Sequence, residues 1–197
     1  VSIISITVCV PISRGSRIEP PPPTPLFDTP VEGYAAEPSN VPVATDPYRQ
    51  GVWDFDRMLL AQYPTTSPGA IWADHGHSAN SDHYTGRAFD WMMNKTGTDA
   101  SAVERARGDS LVSWLLETVD GEPHMRLRRL GIKYIVWYNR IWSTTYKEWR
   151  EHRSCESGGN TDCHRNHIHF SFGEPGADGH TSWWGAPPPP PTTPPPG

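Results

Sequence analysis

Cysteine is scarce in this chain. There are three in 197 residues, at positions 9, 155 and 163, and no two stand in CxxC spacing. That argues against a structural zinc site, which usually takes four protein ligands rich in Cys. Basic charge is also short. Seventeen Lys and Arg stand against 22 Asp and Glu, a net of −5 with nine His counted neutral. A nucleic-acid binder should show a basic face, so that class is set aside. No apolar run approaches the roughly 20 residues of a membrane-spanning helix. No internal repeat is present.

Proline and tryptophan are plentiful. Of 22 Pro, 13 fall in "EPPPPTP" (19–25) and "APPPPPTTPPPG" (186–197), and all nine Trp lie between these segments. The opening "VSIISITVCVPI" is apolar and uncharged. It fits the hydrophobic part of a secretory signal peptide or a membrane tether. Val8 before Cys9 is not the small residue that a lipoprotein signal wants. The expected organisation is a signal or anchor remnant over 1–18 and a Pro-rich linker over 19–45. A folded domain over 46–185 and a Pro-rich tail over 186–197 follow. If the opening run is cleaved, two cysteines remain, Cys155 and Cys163, flanking a polar, Gly-rich loop, and an even count in an exported chain suggests a disulfide. A monomer is the default.

Patterning gives the elements. "DPYRQGVWDFDRMLLAQYP" predicts a helix over about 52–62, "PGAIWAD" a strand, and "RAFDWM" (87–92) another. Leu111, Val112, Leu115, Leu116 and Val119 repeat with the helical period. Thr98 or Asp99 is placed to cap that helix and Gly121 to end it. A short helix is expected from Pro123 to Leu130, before Gly131. "IKYIVWYN" (132–139) and "IHFSF" read as strands. The order implies an α+β fold, a small, mostly antiparallel sheet with helices packed on it.

Two stretches carry chemistry. In a strand, "HIHFSF" sends Ile168, Phe170 and Phe172 one way and His167, His169 and Ser171 the other. The two imidazoles then share a face about 7 Å apart, suited to one metal ligand and one proton carrier. In "SDHYTGRAFDWM", Asp90 sits among Phe89, Trp91, Met92 and Met93. A carboxylate buried there is costly unless it is paired or coordinates a metal. Gly86 allows a turn that brings His83 toward Asp90. Three such ligands with an open fourth position form the pattern of a catalytic zinc site.

"SDHYTGRAFD" resembles the SxHxxGxAxD motif of the zinc peptidases that include D-Ala-D-Ala carboxypeptidases and dipeptidases. Ser81, His83, Gly86, Ala88 and Asp90 match its five fixed positions. "HIH" resembles the closing HxH motif shared with murein endopeptidases. Residues 48 to 184 are similar, more closely, to a domain at the C-terminus of secreted actinobacterial cell-wall proteins. There "GRAFDWM", "GIKYIVWYNRIW" and "NHIHFSF" have counterparts.

The resemblance implies a D-Ala-D-Ala-peptidase-like fold and a Zn2+ cofactor held by His83, Asp90 and His169. It implies His167 as the group that handles protons. The carboxypeptidase branch places a Glu base three residues before its last ligand, whereas this chain has Asn166 there. Arg140 and Arg87 are candidates for stabilising an oxyanion, or equally for ion pairs behind the site. Ser81 is expected to hold the loop, and Trp142, Trp183 and Trp184 to serve as groove walls or core. His75 and His77 read as rim residues and His164 as loop, with His124, His152 and His180 at the surface.

The implied activity is zinc-dependent hydrolysis of peptide bonds in peptidoglycan, by a secreted or cell-wall-associated enzyme. The alternative is a metal-bearing module of the same fold that grips wall peptide without cutting it. An iron oxygenase triad would put its carboxylate two residues after the first His, where Thr85 stands.

Overall fold

The computed structural model describes residues 18–36, 48–74, 76, 80–152, 155 and 158–185. The apolar N-terminal run, the C-terminal tail, His75 and His77 lie outside the described residues.

Period-2 patterning sets the architecture. Six strands lie among the described residues: β1 (Ser67–Pro68), β2 (Ala88–Met92), β3 (Ile132–Trp137), β4 (Arg140–Ser143), β5 (Trp149–Glu151) and β6 (His167–Phe172). They form one open sheet in the order β1-β2-β6-β3-β4-β5, with every pairing antiparallel. Among the described residues, four α-helices complete an α+β fold: α1 (Gln50–Gln62), α2 (Ala102–Leu116), α3 (Met125–Leu130) and α4 (Glu174–Ala177).

Antiparallel partners share a face, so the register sorts the side chains. Phe89 pairs with Phe170, and Phe170 with Ile135. That face carries the core. Phe55 of α1 meets Phe89, Phe170 and Phe172 edge-on. Gly108 of α2 lies so close to Trp137 that an added Cβ would sit 2.7 Å from its ring. The missing side chain is what lets that helix lie flat on the sheet. The opposite face carries Asp90, His169 and Val136, which are partners across β2, β6 and β3.

Several boundaries differ from the sequence reading. Ser101, not Thr98 or Asp99, caps α2, in a capping box with Glu104. The helix stops at Leu116, and Val119 instead bridges to Glu122. His124, with φ 53°, precedes α3, so Pro123 is not its first residue. "PGAIWAD" contributes only Pro68, the last residue of β1. The run to 139 breaks at Tyr138 and Asn139, whose φ values of 50° and 68° form a tight two-residue turn into β4.

Residues 19–36, within the stretch 19–45 assigned by composition to a linker, run across the helices and are anchored to them. Glu19 accepts two hydrogen bonds from Arg107 at 3.1 and 3.2 Å. Phe27 packs on Trp183 and under Arg129. The Glu32 side chain accepts from the Ser182 hydroxyl at 3.0 Å, and its carbonyl accepts from Arg128. Tyr34 meets His124 at 2.9 Å.

Candidate metal centre

The site is built where β2 and β6 lie side by side. Asp90 and His169 are register partners, so their side chains emerge together on the face away from the helices. His83 arrives by another route. Ser81 caps a single 3-10 turn (Asp82–Thr85) and accepts the His83 backbone N–H. Gly86 then reverses the chain at φ 67°, a region that favours glycine, and its N–H closes on the His83 carbonyl. Gly69 completes the frame. Its N–H donates to the Asp90 carbonyl at 2.8 Å.

The donor atoms converge. Asp90 Oδ1 lies 3.0 Å from His169 Nδ1 and 3.4 Å from His83 Nε2. The two imidazole nitrogens are 3.3 Å apart. One ligand atom from each residue falls within 4.8 Å of the others, so the group can hold a metal ion. Both histidines are buried, and Asp90 is half-buried. Outer contacts orient the rings. His83 Nδ1 donates to the Ile71 carbonyl at 3.2 Å, which turns Nε2 toward Asp90 and His169. His169 Nε2 meets Ser171 Oγ at 2.9 Å, and Tyr134 stacks on the His169 ring. Such partners fix tautomer and direction before a metal arrives.

Charge fits the geometry. Burial pushes the Asp90 carboxyl up, but hydrogen bonds from His169 and His83 outweigh it and hold the group well below the usual range. Burial pushes His83 down, yet the Asp90 carboxylate carries it above its ordinary value. Two imidazoles and one ionised carboxylate suit a divalent cation.

His167 stands beside this group. Its Nε2 is 3.7 Å from Asp90 Oδ1, and its Nδ1 is bound to Asn166 Oδ1 at 2.7 Å. Burial and then neighbouring imidazoles keep it neutral, with its pKa lowered despite the Asp90 charge.

Sequence reasoning placed His164 in a loop and His152 at the surface. The structure brings them together. The His164 ring is 4.6 Å from that of His167 and 6.0 Å from that of His169, and His152 lies 5.1 Å beyond. The disulfide between Cys155 and Cys163 closes the loop that returns His164 to the site. Burial first, and then electrostatic interaction with the neighbouring His167 and His169 rings, pushes His164 down to about 2. Its position five residues before His169 was a visible signal, but it depends on a loop that sequence alone does not close.

Arg87 and Arg140 go elsewhere. Arg87 is buried and donates to Thr85 Oγ1 and to Asp82, which also binds Lys133 at 2.8 Å. Arg140 pairs with Trp137, hence on the helix-facing side of the sheet, and lies over the Trp149 ring. The structure does not bring Arg140 to the metal group. Trp142 is core, and Trp183 packs against Trp114 and Phe27 among the helices.

Fold and site together define an α+β domain with two histidines and one carboxylate, able to hold a metal ion, on the sheet face away from the helices. Residues 45–167 match the family described as VldE, C-terminal domain, and the chain belongs to that family. No curated protein and no solved structure matches the chain.

Proposed function

We propose that the domain is a zinc-dependent peptidase acting on the peptide stems or cross-links of peptidoglycan. One observation carries the reading: His83, Asp90 and His169 converge while a further imidazole, His167, stands beside them outside the donor group. The motif resemblance to zinc peptidases and the similarity to cell-wall domains supply the substrate class. The Cys155–Cys163 disulfide is consistent with an extracellular protein.

His83, Asp90 and His169 would hold the ion, which supplies Lewis acidity when bound, polarising a carbonyl and acidifying water. The chain's own residues do the rest. Asp90 supplies the only formal negative charge in the donor set. His167 takes a proton at Nε2 from the attacking water, as the oxygen adds to the peptide carbonyl. The same imidazole returns that proton to the leaving amine as the C–N bond breaks. Asn166, in place of the usual Glu, leaves His167 as the proton acceptor of the site.

The test is digestion of purified peptidoglycan by the zinc-loaded chain, read as new amino termini and released muropeptides. Cleavage should vanish with chelator, and in His167→Ala while zinc is retained. Zinc-loaded protein that binds peptidoglycan and leaves it intact would replace this reading with that of a wall-binding module.

A further inference from the structure

Asn166 is buried, and its side chain joins three segments. Nδ2 donates to the Gly97 carbonyl at 3.0 Å and to Thr161 Oγ1 at 3.4 Å. Oδ1 faces His167 Nδ1 at 2.7 Å. The orientation of the amide follows from Gly97. A carbonyl oxygen can only accept, so the atom facing it must be the amide nitrogen. The amide oxygen therefore faces His167, and an oxygen there can only accept. His167 Nδ1 must carry the proton.

A neutral imidazole has one N–H and one bare nitrogen. With the proton on Nδ1, the lone pair sits on Nε2, the nitrogen 3.7 Å from Asp90 Oδ1. The other tautomer would set two lone pairs against each other at Asn166 and put an N–H where the reaction needs an acceptor. We infer that Asn166 is a positioning residue, which locks His167 in the Nδ1–H tautomer and so presents Nε2 as the proton acceptor of the site. The inference rests on the peptidase reading for its use, but the tautomer itself can be read without any activity. It also accounts for an amide where the carboxypeptidase branch has a carboxylate. The amide sets the direction of the ring and adds no charge beside Asp90.

The experiment is long-range 1H–15N correlation of the histidine rings in the zinc-loaded full chain, with kinetics on peptidoglycan fragments. Wild type should show His167 with Nδ1 protonated and Nε2 bare. Asn166→Ala should give exchanging tautomers and a kcat about 10- to 100-fold lower, the range for loss of a supporting hydrogen bond. Zinc content and KM should change little. Asn166→Asp keeps an acceptor toward His167 and should keep the tautomer, but it loses both donations from Nδ2, so circular dichroism of both variants guards against a general loss of fold. A wild-type His167 protonated at Nε2, or a tautomer unmoved in Asn166→Ala, overturns the inference even if hydrolysis is observed. The locked tautomer without hydrolysis of any wall peptide would uphold Asn166 and overturn the peptidase reading instead.

Discussion

Asp90 and His169 are partners across adjacent antiparallel strands, and Asp90 Oδ1 lies 3.0 Å from His169 Nδ1. The metal group is thus anchored by sheet register rather than by loops alone. A one-residue slip of β6 against β2 would send His169 into the core and Phe170 to the site. The core side chains Phe89, Ile168, Phe170 and Phe172 therefore also hold the ligand in place.

That dependence is testable at Gly69. A Cβ there would stand 2.6 Å from the Asp90 carbonyl and 2.9 Å from its Cβ. Backbone cannot yield as a flexible side chain does, so Gly69→Ala should displace Asp90. Zinc affinity should fall at least 10-fold, about the effect of losing a supporting contact. Zinc titration checks this, and unchanged affinity would show that Asp90 tolerates the shift.

Acid should destabilise the metal-free fold through its buried neutral imidazoles. His164, held at about 2 chiefly by burial, binds its proton in the unfolded chain near 6.5 but not in the folded one. The unfolded state therefore takes up more protons between these values, and stability falls as pH drops through that window. His167 and His152 shift in the same direction, while the raised His83 opposes them. Thermal midpoints of wild type and His164→Gln from about pH 7 to about pH 4 should converge as pH rises. The variant should show the shallower slope.

Asp56 on α1 is a defect that substitution can relieve. It is 4 % exposed, and its Oδ1 has no hydrogen-bond partner among the described residues. Burial raises its pKa against a smaller opposing effect from Arg57. The folded value lies above the unfolded one, so the ionised group costs stability once pH exceeds the folded value. Asp56→Asn should raise stability at neutral pH by about 1 kcal/mol, with the gain shrinking in acid. Urea melts in neutral and in acidic buffer measure it.

Residues 18–36 should behave as part of the domain. Phe27→Ala removes the contact with Trp183 and Arg129. The loss should be roughly 2 kcal/mol, below the about 3–5 kcal/mol of a fully buried Phe. Zinc content should not change, because these contacts lie on the helices and not on the metal face.

Much of this was legible in the sequence because period and motif agreed. "HIHFSF" alternates cleanly, and every position falls on the expected face. His83, Asp90 and His169 stand out because a carboxylate between Phe89 and Trp91 needs a cationic partner or a metal to stay ionised out of water. The β4–β5 hairpin was hidden for a physical reason. Its entry turn uses Tyr138 and Asn139 in left-handed conformation without glycine, and its strands expose Arg140, Arg150 and Glu151. The destination of Arg140 followed from that turn and was equally hidden. His164 was missed because its place depends on the disulfide-closed loop. The anchoring of residues 18–36 was missed because polyproline composition masks the few residues that make contacts, Glu19, Phe27, Glu32 and Tyr34.

Metal content tests the centre most directly. Wild type, Asp90→Asn and His169→Ala are loaded with zinc, dialysed and measured by elemental analysis, with circular dichroism to confirm folding. About one zinc per wild-type chain is expected, as a three-ligand site with an open position holds, and little in either folded variant. A wild-type chain without metal, or variants that retain it fully, would contradict the claim that His83, Asp90 and His169 form a metal centre.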